Sequence, residues 1–296
     1  MGKLAVITGG TGSLGFQAAR AILADPGWEV VITGRDDGAV AEAARRLGDR
    51  ATGRRLELGS LAEVRRFARD LPAPDAVICN AGLVSFAGLR WTADGIEETF
   101  GVNHLAHFLL VRELLPRLPA RARVVFVSSA THDPAQRTGF PPPAYTAADD
   151  LAHPADEAAE QSDRAGQRRY TTAKLCAVLT AYEFARQVPA EVATFNAFDP
   201  GQMPGTGLAR DYRGLRSFVW RRVMPALTLV PGINRHTPAR SGAALARLVV
   251  DPALDGVTGS YLNLTRPVRS SAESYDLAKA ADLWRASSAL TDRIAP

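Results

Sequence analysis

Lysine is almost missing from this chain. Of 35 basic residues, 32 are arginine, and the lysines are Lys3, Lys174 and Lys279. Cysteine is equally scarce: Cys79 and Cys176 each lie inside an apolar run, so no disulfide framework is available and a reducing, cytoplasmic setting is expected. No apolar stretch approaches the roughly 18–20 residues of a membrane span. The first such run begins at Lys3 and leads straight into a glycine-rich turn, so it reads as a strand and not as a leader. There is no block of like charge, and the net charge is only +4, which argues against a nucleic-acid partner. No repeat of solenoid length is present.

What is present is an alternation. Short β-branched runs at 3–8, 28–33, 53–58, 75–79, 123–129, 191–198 and 259–263 are separated by helical stretches near 13–24, 37–48, 60–70, 93–116, 168–187 and 238–250. Most of the runs are apolar and do not alternate, as strands buried on both faces must be. The pattern therefore predicts an α/β chain with a doubly wound parallel sheet, Rossmann-like, forming a single domain over 1–296. In such sheets the ligand crevice lies beyond the carboxyl ends of the strands. Two segments break the rhythm: 131–167, rich in Pro, Ala, Asp and Glu, reads as an insertion, and 202–237 as a substrate lid.

"TGGTGSLG" follows the first strand and opens a helix, with Gly9, Gly12 and Gly15 in a GxxGxxG pattern. Glycines there allow close backbone approach to a pyrophosphate at a helix N-terminus, bringing Thr11, Ser13 and Leu14 alongside. The second strand ends "ITGRDD", with Gly34 where NAD sites place an acid and Arg35 next to it. A guanidinium fork suits a 2′-phosphate, so NADP(H) is the expected cofactor, while Asp36 and Asp37 leave a ribose contact open. No metal is expected. Tyr170 and Lys174 stand four apart on a predicted helix and share a face. An ammonium near a phenol favours the phenolate, which would lower the Tyr170 pKa and poise it for proton transfer.

These features occur in a set order that resembles the short-chain dehydrogenase/reductase family from residue 3 to about 265. "CNAG" (79–82) follows the fourth strand, "VNHLAHFLL" (102–110) contains Asn103, "VFVSSA" contains Ser129, "YTTAK" contains Tyr170 and Lys174, and "DPGQM" contains Pro200 and Gly201. The resemblance implies that Tyr170 is the general acid/base, that Lys174 binds the nicotinamide ribose, that Ser129 holds the substrate oxygen, and that Asn103 anchors a water relay. It implies further that Glu57 and Leu58 meet adenine, that Asn80, Ala81 and Gly82 line the adenosine ribose, and that Met203 and Thr206 hold the carboxamide. Ser128 is the alternative to Ser129.

Within the family the chain is most similar to the protochlorophyllide reductase and retinol dehydrogenase branch, through "VNHLAHFLL", "KLCAVLTAYEFAR" and the tail "SAESYDLAKAADLWRASSAL". Gln202 stands where protochlorophyllide reductases carry a catalytic cysteine, which speaks against light-driven pigment reduction. Residues 212–233 mix Tyr212, Phe218, Trp220, Met224 and Leu227 with arginines, a pattern that suits a lid over a bulky apolar, lipophilic small-molecule substrate. The function expected is NADP(H)-dependent hydride transfer at a carbonyl or alcohol carbon. Reduction of a carbon–carbon double bond and a non-catalytic NADP-sensing role are the competing readings. Oligomeric state is left open, a homo-oligomer included.

Overall fold

A computed structural model describes residues 2–85, 88–203 and 236–293. Seven parallel strands form the sheet: β1 (Lys3–Ile7), β2 (Trp28–Gly34), β3 (Ala51–Arg55), β4 (Ala76–Cys79), β5 (Ala122–Val127), β6 (Ala193–Asp199) and β7 (Ser260–Asn263). A two-residue strand, β8 (Arg266–Pro267), adds an antiparallel edge, and the order is β3-β2-β1-β4-β5-β6-β7-β8. The order reverses between β1 and β4, where Ala5 to Ile7 pair with Ala76 to Ile78.

The apolar runs become strands because both faces are covered. Alternate residues of one strand serve different cores: Val124 and Phe126 of β5 face one, Val125 and Val127 the other. The first core is covered by α3 (Leu61–Asp70), α5 (Ala106–Leu114), α7 (Asp163–Gln187) and α9 (Leu277–Asp292). The second is covered by α1 (Ser13–Ile22) and α8 (Pro238–Val250), with α2 (Asp37–Leu47) at its edge. Each fully buried Leu, Ile, Val or Phe contributes about 1.5–3 kcal/mol, so two such faces suffice to hold the carboxyl ends of the strands in place.

The helix expected over 93–116 is shorter and is not uniform. After α4 (Glu98–Phe100) the chain makes a π-helical turn over Gly101–Leu105 before continuing as α5. The extra residue in that turn re-aims Asn103. The insertion at 131–167 is partly core. Tyr145, Ala148 and Ala152 are buried around α6 (Ala148–Ala152), and the Tyr145 hydroxyl donates to Asp282 of α9 at 2.9 Å. The tip of the insertion brings Phe140 to the Tyr170 ring, 5.8 Å between centroids. Most of the lid expected over 202–237 lies outside the described residues, as do Thr206 and the aromatics of 212–233.

Candidate active site

A cleft of about 810 Å³ runs along the carboxyl ends of β1, β2, β4, β5 and β6. Every described residue assigned to the site from sequence except Asn103 lines it. At one end is the glycine turn. Gly9 has φ +68°, and a Cβ there would stand 2.9 Å from the Ala81 backbone. A Cβ at Gly15 would stand 2.6 Å from the Gly9 carbonyl. Helices α2, α3, α7, α8 and α9 each begin with a Ser, Thr or Asp side chain accepting a backbone N–H, whereas α1 begins at Gly12 with none and has no acid in its first turn. The amides of α1 thus face the cleft uncapped, and a pyrophosphate fits them.

The end of β2 bears on the sequence alternatives. Asp36 caps α2, accepting the Ala39 N–H at 2.7 Å, so its carboxylate is committed. A side chain at Gly34 would press on Val40 and Thr11, with its Cβ at 2.9 and 3.1 Å, which leaves little room for an acid there. Arg35 lines the cleft, and its guanidinium has no hydrogen-bond or ion-pair partner among the described residues. Glu57 bends onto the Gly59 N–H at 2.9 Å. Arg90, Trp91, Thr92 and Ala93 also line this end, and the sequence carried no signal for them.

Asn80 is a structural part of the turn. Its Nδ2 donates to the carbonyls of Thr8 (2.7 Å) and Gly9 (3.2 Å), so the side chain holds the glycine loop and leaves its main-chain carbonyl and Oδ1 for a ribose. The Asn103 carboxamide is likewise spent. Its Oδ1 accepts the Leu83 N–H and its Nδ2 donates to the Leu83 carbonyl, both at 2.8 Å. The Asn103 main-chain carbonyl is bonded separately.

That carbonyl has a partner that sequence reasoning missed. His107 Nδ1 lies 3.3 Å from it, and His107 Nε2 lies 2.9 Å from Thr8 Oγ1. The tautomer follows from donor counting. A carbonyl only accepts, so Nδ1 carries the proton and Nε2 accepts. Thr8 Oγ1 already accepts the N–H groups of Asn80 (2.9 Å) and Ala81 (3.0 Å), so it has its own proton to give His107. A neutral imidazole thus ties the glycine turn to the π-turn, and burial pushes its pKa down to about 4.

At the other end of the cleft stand Ser129, Tyr170 and Lys174. The two serines after β5 divide their work: Ser128 Oγ donates to the Lys174 carbonyl at 2.8 Å, buried inside the fold, while the Ser129 hydroxyl meets the Tyr170 phenol. Ser129→Ala is therefore expected to lower kcat by about 10²-fold. Ser128→Ala should instead cost about 1 kcal/mol of stability with kcat within a few-fold; turnover assays and urea denaturation of the two variants check the split.

Lys174 Nζ donates to the Val127 carbonyl at 2.8 Å and sits 5.6 Å from the centre of the Tyr170 ring. Burial pulls its pKa down to about 8. The expectation that this ammonium lowers the Tyr170 pKa is overturned. Burial raises it well above the ordinary phenol value, the Ser129 hydrogen bond opposes only in part, and the Asp199 carboxylate raises it further. Desolvation of the buried phenol is the largest cause, and it outweighs any help from the nearby ammonium.

Cys79 and Cys176 are free and buried, and burial raises both thiol pKa values, so neither is a nucleophile at neutral pH. Among the described residues no cluster of His, Cys, Asp or Glu has the makings of a metal site.

A doubly wound sheet with a glycine turn at its first strand and a Ser, Tyr and Lys set beyond its fifth defines a dinucleotide-dependent oxidoreductase architecture, and the chain belongs to the short-chain dehydrogenase/reductase family. Residues 3–148 match the family model described as short chain dehydrogenase. The chain is 33% identical over 311 residues to protochlorophyllide reductase B, chloroplastic, of Oryza sativa subsp. japonica, covering 97% of this chain and 76% of that one. It is 32% identical to the protochlorophyllide reductase of Avena sativa, covering 96% and 98%. A crystal structure from Mycobacterium paratuberculosis superposes with a TM-score of 0.72 at 29% identity, covering 99% and 95%.

Proposed function

We propose that the protein is a cytoplasmic, NADP(H)-dependent oxidoreductase that moves hydride between the nicotinamide and a carbonyl or alcohol carbon of a bulky apolar substrate. The observation that carries this reading is the convergence of the Ser129 hydroxyl, the Tyr170 phenol and the Lys174 ammonium at the end of a cleft that begins at an uncapped glycine turn. The cleft residues fit a dinucleotide: Gly9 and Gly15 have no room for a side chain, and at the end of β2 stands the Arg35 guanidinium, with no partner among the described residues. When bound, the reduced nicotinamide supplies the hydride. Ser129 donates a hydrogen bond to the substrate oxygen. Tyr170, held protonated by burial, gives that oxygen its proton as the carbonyl carbon becomes tetrahedral. Lys174 offers its remaining N–H donors to ribose hydroxyls. The apolar character of the substrate rests on the composition of 212–233.

Arg35→Ala is expected to raise KM for NADPH by about 10- to 100-fold, as loss of a charge-assisted contact should, and to leave KM for NADH within a few-fold. Initial rates with both cofactors and a panel of lipophilic aldehydes and ketones test this; equal use of the two cofactors by the unaltered enzyme would refute the phosphate reading. A chain that binds NADPH but reduces nothing in the panel would favour the sensing role.

A second reading, reduction of a carbon–carbon double bond in a pigment, is supported by the resemblance to the rice and oat protochlorophyllide reductases. Gln202 occupies the position beside Met203 where that chemistry would call for a cysteine. Illumination of the protein with protochlorophyllide and NADPH decides between the two.

A further inference from the structure

A second cavity, of about 570 Å³, shares two chain segments with the Ser129 end of the cleft. It is built on the next residues of the same chain segments: Ala130 follows Ser129, and Asp199 precedes Pro200. The two spaces are therefore one residue apart along two separate stretches of chain, and consecutive Cα atoms are about 4 Å apart. The described residues flanking the 204–235 segment meet at the same seam, where the His236 N–H donates to the Gln202 carbonyl at 2.9 Å.

Asp199, Asp133 and His132, which line this second cavity, are already committed. Asp199 accepts the Gly201 N–H at 2.9 Å, Asn263 Nδ2 at 2.8 Å and the Tyr261 hydroxyl. Asp133 accepts the Ala135 N–H at 3.1 Å and Gln136 Nε2 at 3.2 Å. His132 lies 2.7 Å from the Ser129 carbonyl through Nδ1 and accepts the Ser271 N–H through Nε2 at 3.2 Å. By the same donor counting its Nδ1 carries the proton, and burial keeps the ring neutral by lowering its pKa.

The cations are not committed. Arg240, Arg266 and Arg269 line the cavity, and no carboxylate among the described residues pairs with any of them. Arg269 rests on the Tyr275 ring at 5.6 Å and keeps its N–H fork. Arg240 also stands in the first turn of α8, which carries no acid. Three guanidinium groups with no acid partner among the described residues favour a small oxyanion, which they can meet bidentately.

We propose that this cavity receives the anionic end, a carboxylate or a phosphate, of the substrate whose carbonyl is held by Ser129 and Tyr170. The substrate is then an apolar body with a reducible carbonyl and an acidic terminus. The proposal rests on the carbonyl-reductase reading of the neighbouring cleft.

The test compares ω-oxo carboxylic acids of increasing chain length with their methyl esters, using the unaltered protein, Arg240→Ala and the double variant Arg266→Ala, Arg269→Ala. Arg240, Arg266 and Arg269 are exposed on the rim, so their truncation leaves the core intact. At one or more chain lengths the unaltered protein should favour the acid over its ester by about tenfold or more in kcat/KM. The double variant should bring that ratio close to one, through KM for the acid. Inorganic phosphate should compete with the acid and not with the ester. A ratio near one at every length in the unaltered protein, or a preference that survives in both variants, overturns the proposal. Phosphate binding without any preference for the acid would assign the cavity to a free anion and overturn the assignment to substrate. If neither acid nor ester turns over, the carbonyl-reductase reading fails on its own. Calorimetric titration of the acid then decides about the cavity: weaker binding in the double variant upholds it, and unchanged binding refutes it.

Discussion

Replacing Tyr170 by phenylalanine is expected to lower kcat for carbonyl reduction by about 10³-fold, with the dissociation constant for NADPH changed by no more than a few-fold. The ring is packed against Phe140 and buried in the fold, so the substitution removes one hydroxyl and little else. That hydroxyl has two jobs: it bonds Ser129 and it carries the proton the substrate oxygen needs. Because burial raises its pKa, the phenol is fully protonated at neutral pH and stands ready as an acid. The two directions therefore differ in pH dependence: reduction should be nearly flat from pH 6 to the point where Lys174 loses its charge, about pH 8, and then fall. Alcohol oxidation needs the phenolate and should rise with pH across the same range. Rates in both directions over pH 6–9 check this. A reduction rate that survives the loss of the hydroxyl, or an oxidation rate that falls as pH rises, would remove Tyr170 from the chemistry.

How far the sequence foretold this site depends on the range of the forces involved. All seven parallel strands were located to within a few residues; the inner ones were legible because burial on both faces demands apolar runs, while β3, ATGRR with no buried residue, was legible only from its place between two helical stretches. β8, two exposed residues, carries no such signature. The π-turn at Asn103 was invisible because its cause is tertiary: the Asn103 carboxamide is clamped on Leu83, twenty residues away. Tyr170, Lys174 and Ser129 were legible through spacing and order. The direction of the Tyr170 pKa was not, because spacing shows the lysine but not the desolvation that outweighs it. His107 was part of a quoted motif and still went unassigned. Its meaning lies in Thr8, ninety-nine positions away, and in which ring nitrogen holds a proton. The contribution of Asp36 could have been found, since an acid at the start of a helical run is a capping signal.

Acid should unfold this protein early, through its histidines. His104 and His107 are fully buried, and burial lowers their pKa values from 6.5 to about 3 and about 4. His104 lies between Ser287 Oγ at 2.8 Å and Thr180 Oγ1 at 3.4 Å, against the Phe100 ring. The charges facing the pair are each other and Lys174, and both make protonation harder. In the unfolded chain both rings take up a proton as pH falls through 6.5, while in the folded chain they resist until about 4 or below. The unfolded state therefore binds more protons across that window, and stability is full above pH 6.5 and falls as pH drops toward 4. Each ring should account for roughly 1–2 kcal/mol per pH unit, so the two together remove several kcal/mol, a large share of the roughly 5–15 kcal/mol that holds a domain of ordinary stability. Urea denaturation at pH 7, 6, 5 and 4 should show this slope. His104→Gln and His107→Gln should each lower it by about one proton. Where His107→Gln still accepts from Thr8, the glycine turn should keep its NADPH affinity while the acid sensitivity declines. A stability that is level between pH 6.5 and 4 in the unaltered protein would mean that the two imidazoles are not held neutral by the fold, and the tautomer assigned to His107, with the brace it makes between Thr8 and Asn103, would go with it.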